Sequence, residues 1–355
     1  MPDQTLNLKA LQQQLQEHLQ RTQPQFQPHD LQLLAHGEAN VIYRLNRDRL
    51  VRVAVNTPNQ RFQGKISRVT RFEQAILQYL QGSSISHTLY DRFLHPTSDF
   101  PYTYLITNFL EGGSLNYSHK HLQQCAQTLA HLHRLPLVAG YELDRLFGII
   151  PQIEQPLHLF YSEAKAYAQP YLDSPDADPE IVEMLQQVLT KAEARLKTES
   201  LLAQYPHLCL VHSDHTYENW VINPQQAYLI DWEWAELGSP AGDLGHFLSP
   251  VTVHRYQNYW LPPADRQFFL QSYYEALEDA DLAATMRIHF AVFGAFPALR
   301  SLCWTAGYWV TAVRWYADAL EDSPSARDRL RRFEESRRQF PQLWQEVMTW
   351  LDEEI

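Results

Sequence analysis

Two short apolar runs, Trp220 to Ile222 and Ala227 to Ile230, flank the segment Asn223-Pro224-Gln225-Gln226. Runs this short, separated by a proline-containing turn, read as the two strands of a tight hairpin. Such a hairpin brings its two outer ends to the same side. One end is the polar loop holding His212, Asp214 and Asn219, and the other is Asp231. Two carboxylates and a carboxamide are thereby gathered near one point, an arrangement suited to binding Mg²⁺ and orienting a hydroxyl. The stretch from Leu208 to Glu233 therefore constrains what the rest of the chain must build around it.

A chain of 355 residues is long enough for two domains or one large bilobed one, and its 45% hydrophobic content supports a sizeable core. The formal net charge of -12 disfavours a nucleic-acid binder and suits a cationic substrate, although solubility alone explains many acidic chains. Cys125, Cys209 and Cys303 lie far apart and form no metal-ligand spacing, so they read as buried thiols of a reducing compartment. The N-terminus lacks a basic-then-apolar signal. The most apolar region, around His289 to Val313, is interrupted by Arg300 and bounded by Arg314, and reads as too short to span a membrane. The expectation is a cytoplasmic protein without a membrane partner.

Leu8, Leu11, Leu15 and Leu19 recur at helical spacing and predict an amphipathic helix over Asn7 to Gln20, followed by a Gln-rich linker. From Asp30 the period shortens. Leu31, Leu33 and Ala35, then Val41 to Leu45, then Leu50 to Val55 predict three antiparallel strands. A helix over Arg68 to Leu80 presents Phe72, Ile76, Leu77 and Leu80 on one face, and strands over Thr88 to Leu94 and Tyr102 to Phe109 complete five. Glu111-Gly112-Gly113-Ser114 is a natural crossover, after which the chain turns mostly helical, beginning with His121 to Leu135. The fold class expected is α+β: residues 1–29 a helix and linker, 30–110 a five-stranded antiparallel N-lobe, and 111–355 a mainly helical C-lobe.

In this order, Val211-His212-Ser213-Asp214, Asn219, Leu229-Ile230-Asp231-Trp232-Glu233 and Asp243 resemble the aminoglycoside phosphotransferase and choline kinase superfamily. These are small-molecule kinases with a protein-kinase-like fold, and the resemblance runs from about Leu31 to Leu248. It implies ATP and Mg²⁺ as cofactors and a small-molecule hydroxyl as acceptor. It implies that Asp214 orients the hydroxyl and accepts its proton, that Asn219 and Asp231 are metal ligands, and that His212 and Asp243 brace the loop. Phosphoryl transfer asks for positioned charge more than covalent work, which agrees with these residue types. His215 and Glu218 stand where many relatives have an apolar residue and glycine.

Arg52 lies mid-strand on the face of Leu50 and Ala54. It resembles the phosphate-contacting basic residue of the third strand, with Glu73 as its acidic partner; the alternative is an exposed edge-strand cation. Gly37 and Asn40 resemble a reduced phosphate loop, where backbone N–H groups approach phosphate. The resemblance also places adenine in an interlobe cleft, hydrogen-bonded to backbone near Asn108 to Leu110. No Asp-Phe-Gly or long activation segment follows Asp231, which argues against a protein kinase. Substrate identity is expected around Tyr161 to Tyr171 and the C-terminal helices. There Trp304, Tyr308, Thr311 and Trp315 share a helix face, as core packing or as an aromatic wall for a cation. Glu218, Glu233 and Glu236 suit an aminoglycoside, and Ile230 to Ala235 is similar to choline-kinase-like members. The remaining alternative is a non-catalytic kinase-like nucleotide-binding protein.

Overall fold

Alternating apolar residues in the first third of the chain form strands that share one buried face. The computed structural model describes residues 6–26, 30–37, 39–57, 59–137, 149–318 and 324–353. Strands β1 (Leu31–His36), β2 (Asn40–Leu45), β3 (Arg49–Ala54), β4 (Leu89–Phe93) and β5 (Thr103–Asn108) make an antiparallel sheet in the order β1-β2-β3-β5-β4. Helix α1 (Leu8–Thr22) packs on one face, where Leu11, Leu15 and Leu19 join Val41, Tyr43, Val51, Val53, Phe100 and Tyr104 in one core. Each such leucine contributes about 1.5–3 kcal/mol by leaving water. Asn7 caps α1 by accepting from Ala10 N–H at 3.0 Å, and Gln12 Nε2 donates to Leu31 O at 2.7 Å. Helix α2 (Ile66–Tyr79) buries Val69, Phe72, Ile76 and Leu77.

The period-two reading of β1 identifies a strand but not a buried face. Only Leu31 is buried; Leu33 and Leu34 are 41% and 46% exposed. The register shifts between Leu33 and Ala35, because Leu34 adds one residue to the strand.

These elements and residues 228–233 belong to one compact unit; 114–137, 151–227 and 234–355 belong to a second. In the second unit α3 (His119–Arg134) holds the turn after β7 (Trp220–Ile222). Gln124 Nε2 donates to Asn223 O at 3.0 Å, and Thr128 Oγ1 donates to Ala227 O at 2.8 Å. The expected hairpin turn is present: Asn223 N–H donates to Gln226 O at 3.0 Å, just before β8 (Ala227–Leu229). Strand β6 (Cys209–Val211) pairs antiparallel with β9 (Glu236–Gly238). The remaining helices are α4 (Pro156–Leu172), α5 (Pro179–Arg195), α6 (Ser200–Gln204), α7 (Ala241–Leu248), α8 (Pro250–His254), α9 (Pro263–Ala276), α10 (Ala280–Phe293), α11 (Ala295–Asp318) and α12 (Pro324–Asp352).

Gly307 lets α11 lie directly on α4: a Cβ there would sit 1.8 Å from Tyr167 O. The stretch Ala280 to Val310 corrects one expectation, because by length and composition it is apolar enough to cross a membrane. Much of that apolar surface (61% of its most apolar window) is buried within the fold, where Phe293, Phe296 and Leu299 serve the core.

His18 tests the packing of α1. Its ring stacks on Phe100 at 4.7 Å and meets Phe93 edge-on at 4.5 Å. Burial, helped by Arg21 and opposed by Asp99, lowers its pKa below 6.5. The folded state thus holds a neutral ring. Its contribution is fully present above about pH 6.5 and is lost as pH falls towards the lowered folded value. Thermal denaturation across this window should show a steeper loss of stability in the wild type than in His18→Leu.

Candidate active site

Arg52 is the centre of the charged cluster in the first unit. It lies in β3, with Ile42 opposite it on β2 and Leu105 on β5, so it is not an edge-strand cation. Its Nε lies 3.0 Å from Glu73 Oε2 on α2, and its second guanidinium nitrogen pairs with Asp231 Oδ1. The structure therefore brings together three residues expected to share a site. Burial opposes charge on Arg52, but Asp231 and Glu73 outweigh it and hold the guanidinium protonated. Burial pushes the Glu73 carboxyl up, and Arg52 pulls it back.

Asp231 has φ 68°, a left-handed conformation that costs a non-glycine residue of order 1–3 kcal/mol. The segment around it is fastened on both sides. Leu229 N–H donates to Ile85 O at 2.9 Å, Ser86 Oγ donates to Leu229 O at 2.7 Å, and Trp232 Nε1 donates to Ser86 Oγ at 2.8 Å. Asn59 Nδ2 donates to Glu233 O at 3.2 Å. With Trp232 fully buried, these bonds fix the backbone and leave the Asp231 side chain 37% exposed.

The remaining nucleotide-binding candidates of this unit stand at two turns. Gly37 N–H donates to Asn40 O at 2.9 Å, closing the β1–β2 hairpin, and Asn40 pairs with Ala54. A Cβ at Gly37 would meet only Asn40 O, at 3.7 Å, so packing does not demand glycine there. At the end of β5, Asn108 Oδ1 accepts from Thr88 N–H at 2.7 Å and Asn108 N–H donates to Thr88 O at 3.1 Å. The Asn108 carbonyl faces His87 Nδ1 at 3.0 Å, and Thr107 Oγ1 donates to it at 3.3 Å. Among the described residues, no hydrogen bond engages the Leu110 backbone.

In the second unit the loop after β6 is organised by Asp243 on α7. Its carboxylate is fully buried and accepts from His212 N–H at 2.9 Å and from Ser213 N–H at 2.8 Å. His133 Nε2 on α3 lies 3.1 Å from Oδ2, and His215 Nε2 lies 2.9 Å from Oδ1. A carboxylate only accepts, so His133 Nε2 carries the hydrogen and Nδ1 takes the Tyr273 hydroxyl at 2.8 Å. Burial works against the Asp243 charge, but His215 and His133 hold its pKa well below 3.8. Burial also lowers the pKa of His133, which stays neutral.

The loop that Asp243 grips carries its strain at Ser213, with φ 66°. Glu218, which replaces a common glycine, lies in the 3₁₀ turn Tyr217–Asn219 and is not among the positive-φ residues described. The turn offers Asn219 to Asp214: Nδ2 donates to Asp214 Oδ2 at 2.9 Å and to Asp214 O at 3.0 Å. His212 is fully buried, and its Nδ1 accepts from Asp214 N–H at 3.3 Å. It braces the loop, as expected.

The donor chemistry fits Mg²⁺. Asn219 Nδ2 is used within the loop, which leaves its amide oxygen as a neutral donor atom; separately, in the first unit, Asp231 supplies a carboxylate open to solvent. Among the described residues there is no group of three or more His, Cys, Asp or Glu side chains suited to a metal. A metal held by the Asp231 carboxylate would therefore need further oxygens, from phosphate and water among others, to complete a coordination sphere.

Near the expected acceptor region, Trp304 and Tyr308 stack at 4.7 Å, whereas the side chains of Thr311 and Trp315 lie outside the described residues. His87 and His133 were not identified from the sequence. For His133 the signal was available, because it continues the buried row of Leu122, Ala126 and Leu129 along α3. For His87, before β4, no periodicity marks the contact.

A five-stranded antiparallel sheet flanked by α1 and α2, and a largely helical second unit carrying the braced Asp214 loop, define an α+β fold of the protein-kinase-like class. Residues 30–288 match the family model of the phosphotransferase enzyme family, and the chain belongs to that family. No curated protein matches it in sequence.

Three solved structures illustrate the shared fold. The ethanolamine kinase of Plasmodium vivax has 12% identity, a TM-score of 0.56 and coverage of 99% of this chain and 89% of that one. A choline/ethanolamine kinase family protein from Mesorhizobium loti has 15% identity, a TM-score of 0.53 and coverage of 95% and 99%. The streptomycin-ATP-APH(2")-IIa ternary complex has 14% identity, a TM-score of 0.52 and coverage of 92% and 97%.

Replacing Asp243 by Asn should be costly, because the buried imidazoles lose the charge that organises them. Each hydrogen bond to a charged acceptor lost in this way costs about 1.5–3 kcal/mol. Urea denaturation of Asp243→Asn against wild type checks this. The folded pKa of Asp243 is depressed, so its contribution is present above about pH 4 and lost as pH falls through the lower folded value.

Proposed function

We propose that the protein is an ATP- and Mg²⁺-dependent kinase that phosphorylates a hydroxyl of a small molecule related to amino alcohols or aminoglycosides. The observation that carries this reading is the Asp214 loop, in which the carboxylate is held by Asn219 Nδ2 while the backbone before it is clamped to buried Asp243. A turn residue with no chemical role would need neither restraint. Family membership supports phosphoryl transfer, and the ternary complex of a fold relative with streptomycin and ATP supports this choice of substrates.

In this reading Asp214 Oδ1 accepts the hydroxyl proton as the acceptor oxygen bonds to the γ-phosphorus. The bond from that phosphorus to the bridging oxygen breaks, and ADP leaves with the electron pair. Asn219 keeps Asp214 in one rotamer. Arg52, fixed by Glu73, holds the Asp231 carboxylate and offers its remaining N–H donors to phosphate oxygens. Asp231 and Asn219 are the residues proposed to hold Mg²⁺, which would supply charge neutralisation at the phosphates. Gly37, Asn40 and backbone near Asn108 to Leu110 complete nucleotide binding. The acidic chain, with net charge -12, acts in the cytoplasm on a soluble acceptor, without nucleic acid or membrane as partner.

Two measurements separate an enzyme from a kinase-like binding protein. Wild type should gain thermal stability with ATP and Mg²⁺, and Asp231→Ala should lose that gain; no shift in wild type would sink the nucleotide reading. In a panel of amino alcohols, aminoglycosides and small sugars, one class should stimulate ADP release. Asp214→Asn should then slow release by about 10²–10⁴-fold while keeping the thermal shift. Nucleotide binding without stimulation by any compound favours the binding protein.

A further inference from the structure

His87 and Thr107 converge on one acceptor. The Asn108 carbonyl oxygen has two lone pairs. His87 Nδ1 lies 3.0 Å from it and Thr107 Oγ1 lies 3.3 Å from it. A carbonyl cannot donate, so the Nδ1 of His87 carries a hydrogen. The contact is rigid. Asn108 is tied to Thr88 by two further bonds, at 2.7 and 3.1 Å, and Thr107 is buried. Burial, with Arg52 nearby, pushes His87 down to about 4, which keeps the ring neutral through the physiological range. On the next residue Phe109 N–H is also taken, by Asp48 O at 2.8 Å.

Resting on the nucleotide reading above, we propose that His87 is a specificity-determining residue. By capping the Asn108 carbonyl it removes the acceptor that would favour a 6-amino purine, so that adenosine and guanosine triphosphates are both accepted. An uncapped carbonyl discriminates strongly. It accepts from the 6-amino group of adenine and faces the 6-oxo group of guanine oxygen to oxygen, which repels. With both lone pairs engaged, neither interaction forms at full strength. The purine edge is then read at Leu110, whose backbone no described residue engages. A peptide unit offers one N–H and one C=O, which serve N1 of adenine as acceptor and N1–H of guanine as donor equally well.

The test is competition binding of ATP and GTP, each with Mg²⁺, to the full chain and two variants, with thermal denaturation confirming that each variant folds. His87→Asn keeps an N–H donor near the position of Nδ1; His87→Leu removes it. The wild type should bind the two nucleotides within about tenfold of each other, and His87→Asn should keep that ratio. His87→Leu should shift the ratio towards ATP by at least about tenfold, equivalent to about 1.4 kcal/mol. A wild-type preference above tenfold, or a shift below tenfold in His87→Leu, overturns the role of His87 while leaving the kinase reading intact. A wild type that binds neither nucleotide overturns the kinase reading, and this inference with it. If His87→Leu does not fold, Thr107→Val, which removes the other donor, should shift the ratio in the same direction, and an unchanged ratio there overturns the proposal.

Discussion

A fully buried carboxylate organises the Asp214 loop. Asp243 leaves water completely, and that is tolerable only because two backbone N–H groups and two imidazoles face it. The arrangement works in both directions. The loop supplies the donors that make a dry carboxylate possible, and the carboxylate holds Ser213 in a left-handed conformation that the chain would otherwise leave. Helix α3 enters the same account through His133, whose ring passes the restraint on to the Tyr273 hydroxyl of α9. The position of Asp214 thus depends on elements far from it in sequence.

The charged cluster of the first unit follows a different logic. Arg52 is placed in the middle of a sheet, where a guanidinium is tolerable only with anions on it. Glu73 and Asp231 are those anions, and of the two Asp231 is the more open to solvent. Glu73 serves mainly to fix the guanidinium, and Asp231 keeps oxygen available for something else. The backbone strain again falls on a candidate site residue, Asp231, while the bonds of Ser86, Trp232 and Asn59 hold the segment around it. Ser213 in the second unit and Asp231 in the first are thus each held in a left-handed conformation by hydrogen bonds from other elements.

Much of this was legible in order along the chain. The strands of the sheet, the helix bearing Glu73, the hairpin turn at Asn223 and the brace at Asp243 follow from period, turn chemistry and the resemblance of the loop motifs. The pairing of Arg52 with Glu73 was expected and is present. Where the reading fell short, the reason is physical. Leu33 has the spacing of a buried position, but Leu34 bulges the strand and the face remains exposed. Glu218 stands where glycine is common, yet within Leu208 to Glu233 the left-handed residues are Ser213 and Asp231. Residue type reveals a tolerance for positive φ and says little about where tertiary bonds enforce it.

The sequence by itself determined which residue types are available and their order: a cation in the third strand, an acid on the following helix, an acid and an amide five residues apart in one loop, and an acid after the hairpin. Local periodicity was enough for the strands and helices, because each buries a face that its own spacing defines. Only the tertiary structure decided which polar atoms meet. That His87 faces the Asn108 carbonyl, that His133 and His215 share Asp243, and that Arg52 joins Asp231 across 179 positions are matters of burial and hydrogen-bond geometry. A buried polar group must find partners wherever the fold brings them, and sequence distance places no constraint on that search.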